Sequence, residues 1–232
     1  APVRLGLSGV RALGTDAAER IVAERDADGP FKDIEDFARR TELPLAVLEA
    51  LATAGAMDCF GLGRRETLWA VGAAAGSRRG HLPGTVPGTA APPLPGLTAE
   101  ERTLGELWAG QHAATHPMLL VRERLAAAGV TAAADLPALR NGHPVRIAGL
   151  VTHRQRPPTA HGVCFLGLED HSGLMNVIVP AKIWAAQPRR VKEAGALIIY
   201  GTMESEDGSI NVLAGRLTRL TVAATDRSRS FR

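Results

Sequence analysis

The chain has few of the features that mark a secreted, membrane-bound or self-contained catalytic protein. Only two cysteines occur among its 232 residues, Cys59 and Cys164, and they lie in different segments. This usage is typical of a reducing compartment, so we expect a cytoplasmic protein with unpaired thiols. No run approaches the roughly 20 apolar residues of a membrane span, and the N-terminus lacks the layout of a signal peptide. These absences predict no membrane contact, and the opening residues resemble the interior of a longer chain.

Catalytic motifs are also scarce. His112 and His116 are four residues apart, but no glutamate between them completes the metal-binding pattern of metalloprotease helices. The sequence has no glycine-rich phosphate loop, no nucleophile elbow and no paired aspartates that would indicate a two-metal centre. We therefore predict that this stretch of chain has no catalytic residue, metal site or cofactor of its own.

Charge is unevenly distributed, although the net charge is only +3. Residues 1–70 hold 9 basic and 12 acidic side chains, whereas residues 144–232 hold 12 basic and 7 acidic ones. The last third is therefore the better candidate for contact with a polyanion. The same modest excess also suits an ordinary solvated surface, and composition alone leaves both interpretations open.

Composition and periodicity predict an α+β protein with several zones along the chain. Residues 1–75 have helical periodicity, residues 76–96 are a flexible Gly/Pro-rich linker, and residues 97–141 form a helical bridge. Residues 142–224 have the alternation of β-strands, and residues 225–232 form a basic tail.

The strand region predicts a small barrel. A helical stretch, residues 181–193, separates its third and fourth strands, and Gly149 is expected to form a bulge in the first strand. This order is that of the OB-fold, a five-stranded barrel that often binds oligonucleotides. The five predicted strands are Val145–Thr152, Val163–Glu169, Leu174–Val179, Leu197–Met203 and Ile210–Leu217.

Residues 10–22 resemble a helix-hairpin-helix, in which a glycine-containing turn offers backbone N–H groups to a phosphate. Gly14 and Thr15 would form the phosphate-binding turn, and Arg11 and Arg20 would add positive charge. The alternative is an ordinary packing unit of two helices. The acidic balance of this domain favours that alternative.

Candidate DNA contacts in the barrel lie on its first two strands and their loops. Arg154 and Arg156 fall in the predicted loop of residues 153–162, which OB-folds use to clamp a strand. Alternation places Phe165 on the outer surface of the second strand, where a ring would stack on a base, or else would pack under a loop. Arg146 and His171 complete the candidate set. The cations of the helical stretch, Lys182, Arg189, Arg190 and Lys192, suit either a binding surface or a solvated helix face.

Six stretches taken together resemble the region that follows the fingers domain in bacterial polymerase III alpha subunits. Two motifs are closer to the error-prone, damage-inducible branch (the ImuC type) than to the replicative one. They are Arg-Arg-x-x-Leu-Trp at residues 64–69 and Arg-Gln-Arg-Pro at residues 154–157. The six stretches are residues 29–37, 48–58, 63–69, 116–118, 149–157 and 165–173.

This resemblance implies a helix-hairpin-helix domain and an OB-fold from the C-terminal region of a primer-extending DNA polymerase. The parent enzyme would use magnesium and carboxylates of a palm domain that this chain does not include. Replicative members carry a clamp-binding peptide near the position of residues 76–96 and continue past the OB-fold into a domain for the clamp-loader tau subunit. Neither feature is seen in this sequence, so we expect a polymerase that accessory proteins recruit. The implied partners are single-stranded or template DNA and ImuB-like mutasome proteins. Three alternatives stay open: a replicative alpha-subunit fragment, a protein-interaction module whose OB-fold binds no DNA, and an anticodon-binding module of a synthetase.

Overall fold

The computed structural model describes residues 6–110, 112–206 and 208–222. The chain divides into two compact units, a helical unit to Ala114 and a barrel unit from Thr115 onward. The predicted α+β class, with helices first and a barrel second, is confirmed. The predicted basic tail, residues 225–232, lies outside the described residues.

The helical unit is built around the side chains of short amphipathic helices. Leu48 and Leu51, one turn apart, are fully buried against Val71. Gly55 ends the third helix in the left-handed conformation, at φ 78°, which a glycine adopts without steric cost. The helices of this unit are α1 (Gly14–Asp28), α2 (Ile34–Thr41), α3 (Leu45–Ala54), α4 (Arg64–Ala74) and α5 (Ala99–Gly110).

Residues 76–96, the predicted linker, are hydrogen-bonded to this helical unit. The Trp69 indole N–H donates to the carbonyl of Gly88 at 2.8 Å, and the backbone N–H of Gly84 donates to the Glu35 carboxylate at 2.9 Å. The Gly/Pro composition disfavours helices and strands in this segment. It does not prevent hydrogen bonding to the helical unit, because side chains of α2 and α4 supply the donor and the acceptor.

The predicted helical bridge, residues 97–141, is not one element. Its first part, α5, packs on α3, and Gly105 lies so close to α3 that an added Cβ would be 3.1 Å from Thr53 Cγ2. Its second part, with α6 (Arg122–Ala127), packs on the barrel, where Met118 and Leu125 share a buried cluster. The prediction of a single bridge is wrong because each part has its own apolar face, and helical periodicity does not show which hydrophobic core that face joins.

The barrel unit is closed, with the strand order β1-β2-β3-β5-β4. The parallel pairing of β3 with β5 closes it, and the other neighbouring pairs are antiparallel. All five predicted strands are confirmed. The predicted helical stretch before β4 is two short helices, α7 (Ala181–Ala186) and α8 (Pro188–Glu193). The strands are β1 (Pro144–Gln155), β2 (Cys164–Glu169), β3 (Leu174–Val179), β4 (Ala196–Glu206) and β5 (Ser209–Arg219).

The prediction of a bulge at Gly149 is wrong in position. Gly149 pairs regularly with Leu197, and the register of β1 against β2 shifts between Val151 and His153 instead. Gly149 serves a different purpose, because an added Cβ would lie 2.8 Å from the Glu169 carbonyl oxygen. The glycine thus allows the end of β2 to approach β1 closely.

Candidate nucleic-acid interface

The hairpin before α1 presents its four predicted contact residues to solvent. Ala12 and Gly14 both have positive φ, 63° and 68°, and this tight turn feeds directly into α1. No side chain caps the start of α1. Leu13 and Ile21 are buried and fix the turn on the helical unit, whereas Gly14, Thr15, Arg11 and Arg20 are exposed.

Two features near this turn affect its electrostatics. The Arg11 guanidinium lies 4.9 Å from the centre of the Trp108 ring, and that ring is 49% exposed. Asp16 lies in the first turn of α1, where it competes with an incoming anion for the positive end of the helix dipole. The start of α1 therefore has no side-chain cap, and the charges nearest to it are those of Arg11 and Asp16, which have opposite signs.

Phe165 lies on the outer surface of β2, as alternation predicts. Its neighbours in the strand, Cys164 and Leu166, are buried in the barrel, whereas the Phe165 side chain is 38% exposed. The register places it between Gln155 of β1 and Ile178 of β3. Neither of these cross-strand neighbours is charged. The Phe165 ring is thus accessible to solvent, as a ring that stacks on a base must be.

The prediction that Arg154 projects from a loop is wrong. β1 continues through this residue, and its side chain is only 6% exposed. Its Nε donates to the Val191 carbonyl at 2.7 Å, and its Nη2 donates to the Ala194 carbonyl. Burial lowers the pKa of the guanidinium. The shift of register after Val151 causes this placement, because it turns every later side chain of the strand to the opposite face.

Arg156, by contrast, is exposed and belongs to a cluster of an aromatic ring and two cations. Its guanidinium lies 4.9 Å from the centre of the Trp184 ring, and Lys192 Nζ lies 5.8 Å from the same ring. Gly162 closes the loop beside α7, where an added Cβ would be 3.2 Å from that of Ala181. Sequence reasoning missed Trp184, although a tryptophan on a short helix beside a basic loop is a usable signal.

The other two candidates occupy different parts of the barrel unit. Arg146 of β1 is half-buried, donates from Nη1 to the Ala128 carbonyl, and lies 4.7 Å from the centre of the Tyr200 ring. His171 lies in the turn between β2 and β3 and lines a cavity of about 220 Å³ together with Met118.

The turn that carries His171 is organised by Asp170. One oxygen of this buried carboxylate accepts hydrogen bonds from the backbone N–H and hydroxyl of Ser172, both at 2.7 Å, and the other accepts from the Ala133 N–H at 2.9 Å. Burial raises the pKa of Asp170, but these hydrogen bonds outweigh it and hold the pKa below its ordinary value. The turn is therefore held in one conformation by an ionised carboxylate.

The structure brings Arg156 together with a ring and a second cation, and it leaves Phe165 and Arg146 on other rows of the barrel. Within residues 6–110, 112–206 and 208–222, no group of three or more His, Cys, Asp or Glu side chains has the arrangement of a metal site. No helix in these ranges is long and apolar enough to span a membrane.

Comparison with known proteins relates this chain to DNA polymerases. The family model described as "Helix-hairpin-helix motif" matches residues 1–67. A protein of Mycobacterium tuberculosis (strain H37Rv) named error-prone DNA polymerase is 46% identical over 99% of this chain, and one of Corynebacterium glutamicum with the same name is 45% identical over 99%. The chain is related throughout its length to error-prone DNA polymerases. The resemblance seen in the sequence is thereby confirmed.

The chain spans only about a fifth of the length of these polymerases, 21% and 22% in the two relatives. Among solved structures, the asparaginyl-tRNA synthetase of Pyrococcus horikoshii is 21% identical and matches 40% of this chain and 22% of its own, with a TM-score of 0.35. The chain is therefore similar to one part of these polymerases, and its first 67 residues match the helix-hairpin-helix family model.

Proposed function

We propose that this part of an error-prone polymerase binds single-stranded or template DNA for a catalytic core located elsewhere in the parent protein. The observation that carries the proposal is Phe165, an accessible ring on the outer surface of β2. Aromatic side chains on OB-type barrels stack on bases of any sequence, which suits a polymerase that must accept every template. The parent enzyme would perform primer extension in translesion synthesis, with magnesium in its core, and no chemical step is assigned to this chain.

Arg156 supports the proposal by adding charge close to the start of β2. It is exposed, and Trp184 and Lys192 lie with it in one cluster. A stacked guanidinium keeps its N–H groups directed outward, where they can bind a phosphate. The cluster would hold the sugar–phosphate backbone while Phe165 stacks on a base.

The helix-hairpin-helix would supply a second, weaker grip on DNA. Backbone N–H groups at Gly14 and Thr15, with Arg11 and Arg20 nearby, would contact phosphates and read no base. Asp16 and the acidic balance of residues 1–70 reduce the expected affinity. We expect this unit to contribute less than the barrel.

The test is fluorescence anisotropy of a labelled single-stranded oligonucleotide with the 232-residue chain across a salt series. Phe165→Leu removes the ring but keeps an apolar side chain, and Arg156→Gln removes the charge. Loss of stacking is expected to weaken binding by about 1–3 kcal/mol. Loss of one phosphate contact is expected to make the slope of log K against log salt shallower by about 0.7.

Two matched controls separate these effects from general surface changes. Leu174→Ala removes an exposed apolar side chain from β3, which forms a hairpin with the β2 strand of Phe165. Arg140→Gln removes an exposed arginine that precedes β1 and lies outside the strands of the barrel. Both controls should bind like the wild type. Equal affinities for Phe165→Leu and the wild type would show that the ring does not meet DNA. Salt-independent binding, or none at low salt, would move the function to a protein-interaction module.

Docking of accessory proteins belongs to the same proposal, since the resemblance implies ImuB-like partners that would supply the clamp contact. A pull-down of the sliding clamp with this chain alone is expected to capture no clamp. Strong capture would contradict recruitment through an accessory protein.

A further inference from the structure

Three side chains of neighbouring strands form a row on the outer face of the barrel: Arg146 on β1, Tyr200 on β4 and Arg216 on β5. The register pairs Tyr200 with Arg146 on one side and with Arg216 on the other. The guanidinium carbons lie 4.7 Å and 5.4 Å from the centre of the tyrosine ring. We call these three residues the Arg–Tyr–Arg row.

The row is held in place by the sheet and by its own contacts. The residues next to its members in sequence, Ile147, Ile199 and Leu217, are fully buried in the barrel, so alternation directs the row outward. Arg146 is further fixed by its hydrogen bond to the Ala128 carbonyl. Because less side-chain entropy is lost on binding, such a row is better prepared for a ligand than freely rotating surface arginines are.

The two positive charges of the row have no acidic partner among the described residues. No described carboxylate lies within 4.0 Å of either guanidinium, although eight ion pairs involving arginine or histidine are formed by described residues elsewhere in the chain. Two like charges held against one ring repel each other, and an anion bound between them would relieve that repulsion. The row therefore favours a negatively charged ligand.

The geometry also indicates which part of a ligand would be bound. β4 lies between β1 and β5, so one cation reaches the Tyr200 ring from each neighbouring strand, and a base that stacked on this ring would have to displace a guanidinium. Guanidinium groups stacked on a ring still direct their N–H donors outward, and their fork geometry matches phosphate oxygens. Phosphate groups are thus the favoured ligand chemistry, without base recognition.

We propose that the Arg–Tyr–Arg row binds phosphate groups of a nucleic-acid strand, as a second barrel contact separate from Phe165. Phe165 lies on β2 between β1 and β3, whereas the row is centred on β4. The choice of nucleic acid as ligand rests on the proposed DNA binding, but the residues are different ones. A strand that touches both sectors would bend around the barrel.

Tyr200 provides a direct test, because it is the only tyrosine of the chain. With ring-labelled tyrosine, the 232-residue chain gives NMR signals from this one ring. These signals are followed during titration with an oligothymidylate of about 12 nucleotides, within the range of OB-fold site sizes. Arg216→Gln removes an exposed cation of the row. Arg219→Gln removes an exposed arginine from the same strand that is not part of the row.

We expect the Tyr200 signals to shift on DNA binding in the wild type and in Arg219→Gln. In Arg216→Gln the midpoint of the shift should move to about fivefold higher DNA concentration, the upper range for one exposed ion pair. Arg216→Lys, which keeps the charge but not the fork, should be intermediate. A thermal melt of each variant identifies any loss of folding.

The remaining outcomes separate this inference from the proposed function. Tyr200 signals that stay unchanged while anisotropy shows DNA binding sensitive to Phe165→Leu would overturn the row as a contact and leave the proposed function intact. A Tyr200 shift on DNA addition, with no effect of Phe165→Leu on affinity, would support the row and overturn Phe165 as the base contact. An equal shift with polyglutamate at the same charge concentration would assign the row to an acidic protein partner and refute the nucleic-acid ligand. Absence of any DNA binding would overturn both.

Discussion

Replacement of Arg154 is expected to destabilise the barrel rather than to remove a DNA contact. The side chain is buried, and it donates to the carbonyls of Val191 and Ala194, which are themselves buried. These bonds connect β1 to the segment that leads from α8 into β4. In Arg154→Ala the two carbonyls lose these donors, and a space remains where the side chain was.

The size of the effect follows from these contacts. Each buried carbonyl left without a donor costs about 1–3 kcal/mol, and the release of a charged group into water offsets part of this. A net loss of about 3 kcal/mol is expected, which is a large share of the total stability of a domain. For a unit of this size the melting temperature should fall by about 10 °C.

The assay is thermal and urea unfolding of Arg154→Ala, followed by circular dichroism, with Arg156→Ala as the matched control. Arg156 is exposed and loses its contact with the Trp184 ring and a long hydrogen bond of 3.4 Å to the Gly162 carbonyl, so its cost should stay below about 1 kcal/mol. DNA binding measured well below the melting temperature should weaken in Arg156→Ala and not in Arg154→Ala. Unchanged unfolding of Arg154→Ala together with weaker DNA binding would refute the buried role.

Two further predictions concern the barrel. Gly149→Ala should destabilise the barrel by about 1–3 kcal/mol in urea unfolding, because the added Cβ meets the Glu169 backbone at 2.8 Å. The control Gly72→Ala on α4 has open space around the added Cβ and should stabilise that helix by about 0.5–1 kcal/mol. Equal effects of the two substitutions would contradict the close approach of β2 to Gly149. The pKa of Asp170 is lowered on folding, so its stabilising effect is complete above the unfolded pKa near about 3.9 and is lost as pH falls through the folded pKa. Asp170→Asn should therefore remove part of the acid dependence of unfolding, and an unchanged dependence between about pH 2 and 5 would argue against it.

Local patterns in the sequence were sufficient for the elements of the barrel. Alternation predicted that Phe165 would face outward, and the structure confirms this, since Phe165 is exposed while Cys164, Leu166 and Leu168 are buried. In the helical unit, the glycine at position 55, directly after a run of apolar helix formers, is a local signal for the end of α3, and the helix does end there. These predictions succeed because burial with a period of two, or a left-handed cap, depends on residues close together in sequence.

Contacts distant in sequence could not be found in the same way. The pairing of Arg146, Tyr200 and Arg216 depends on three strands coming together, and their positions in the sequence do not suggest it. The division of residues 97–141 between two units has the same origin, because an apolar helix face fits either core.

The sequence by itself determined the order of the elements, their apolar faces and the relationship to error-prone polymerases. The direction of Arg154 was decided only by tertiary structure. The sequence predicts that Arg154 lies in a loop, and continued alternation from Val151 would also point it outward. Instead β1 continues through this residue, and the extra residue at the bulge reverses the phase of the strand and turns Arg154 inward. A bulge forms where a strand must bend to close a barrel against its neighbours, so its position follows from the pairing of β1 with β2 and not from β1 alone.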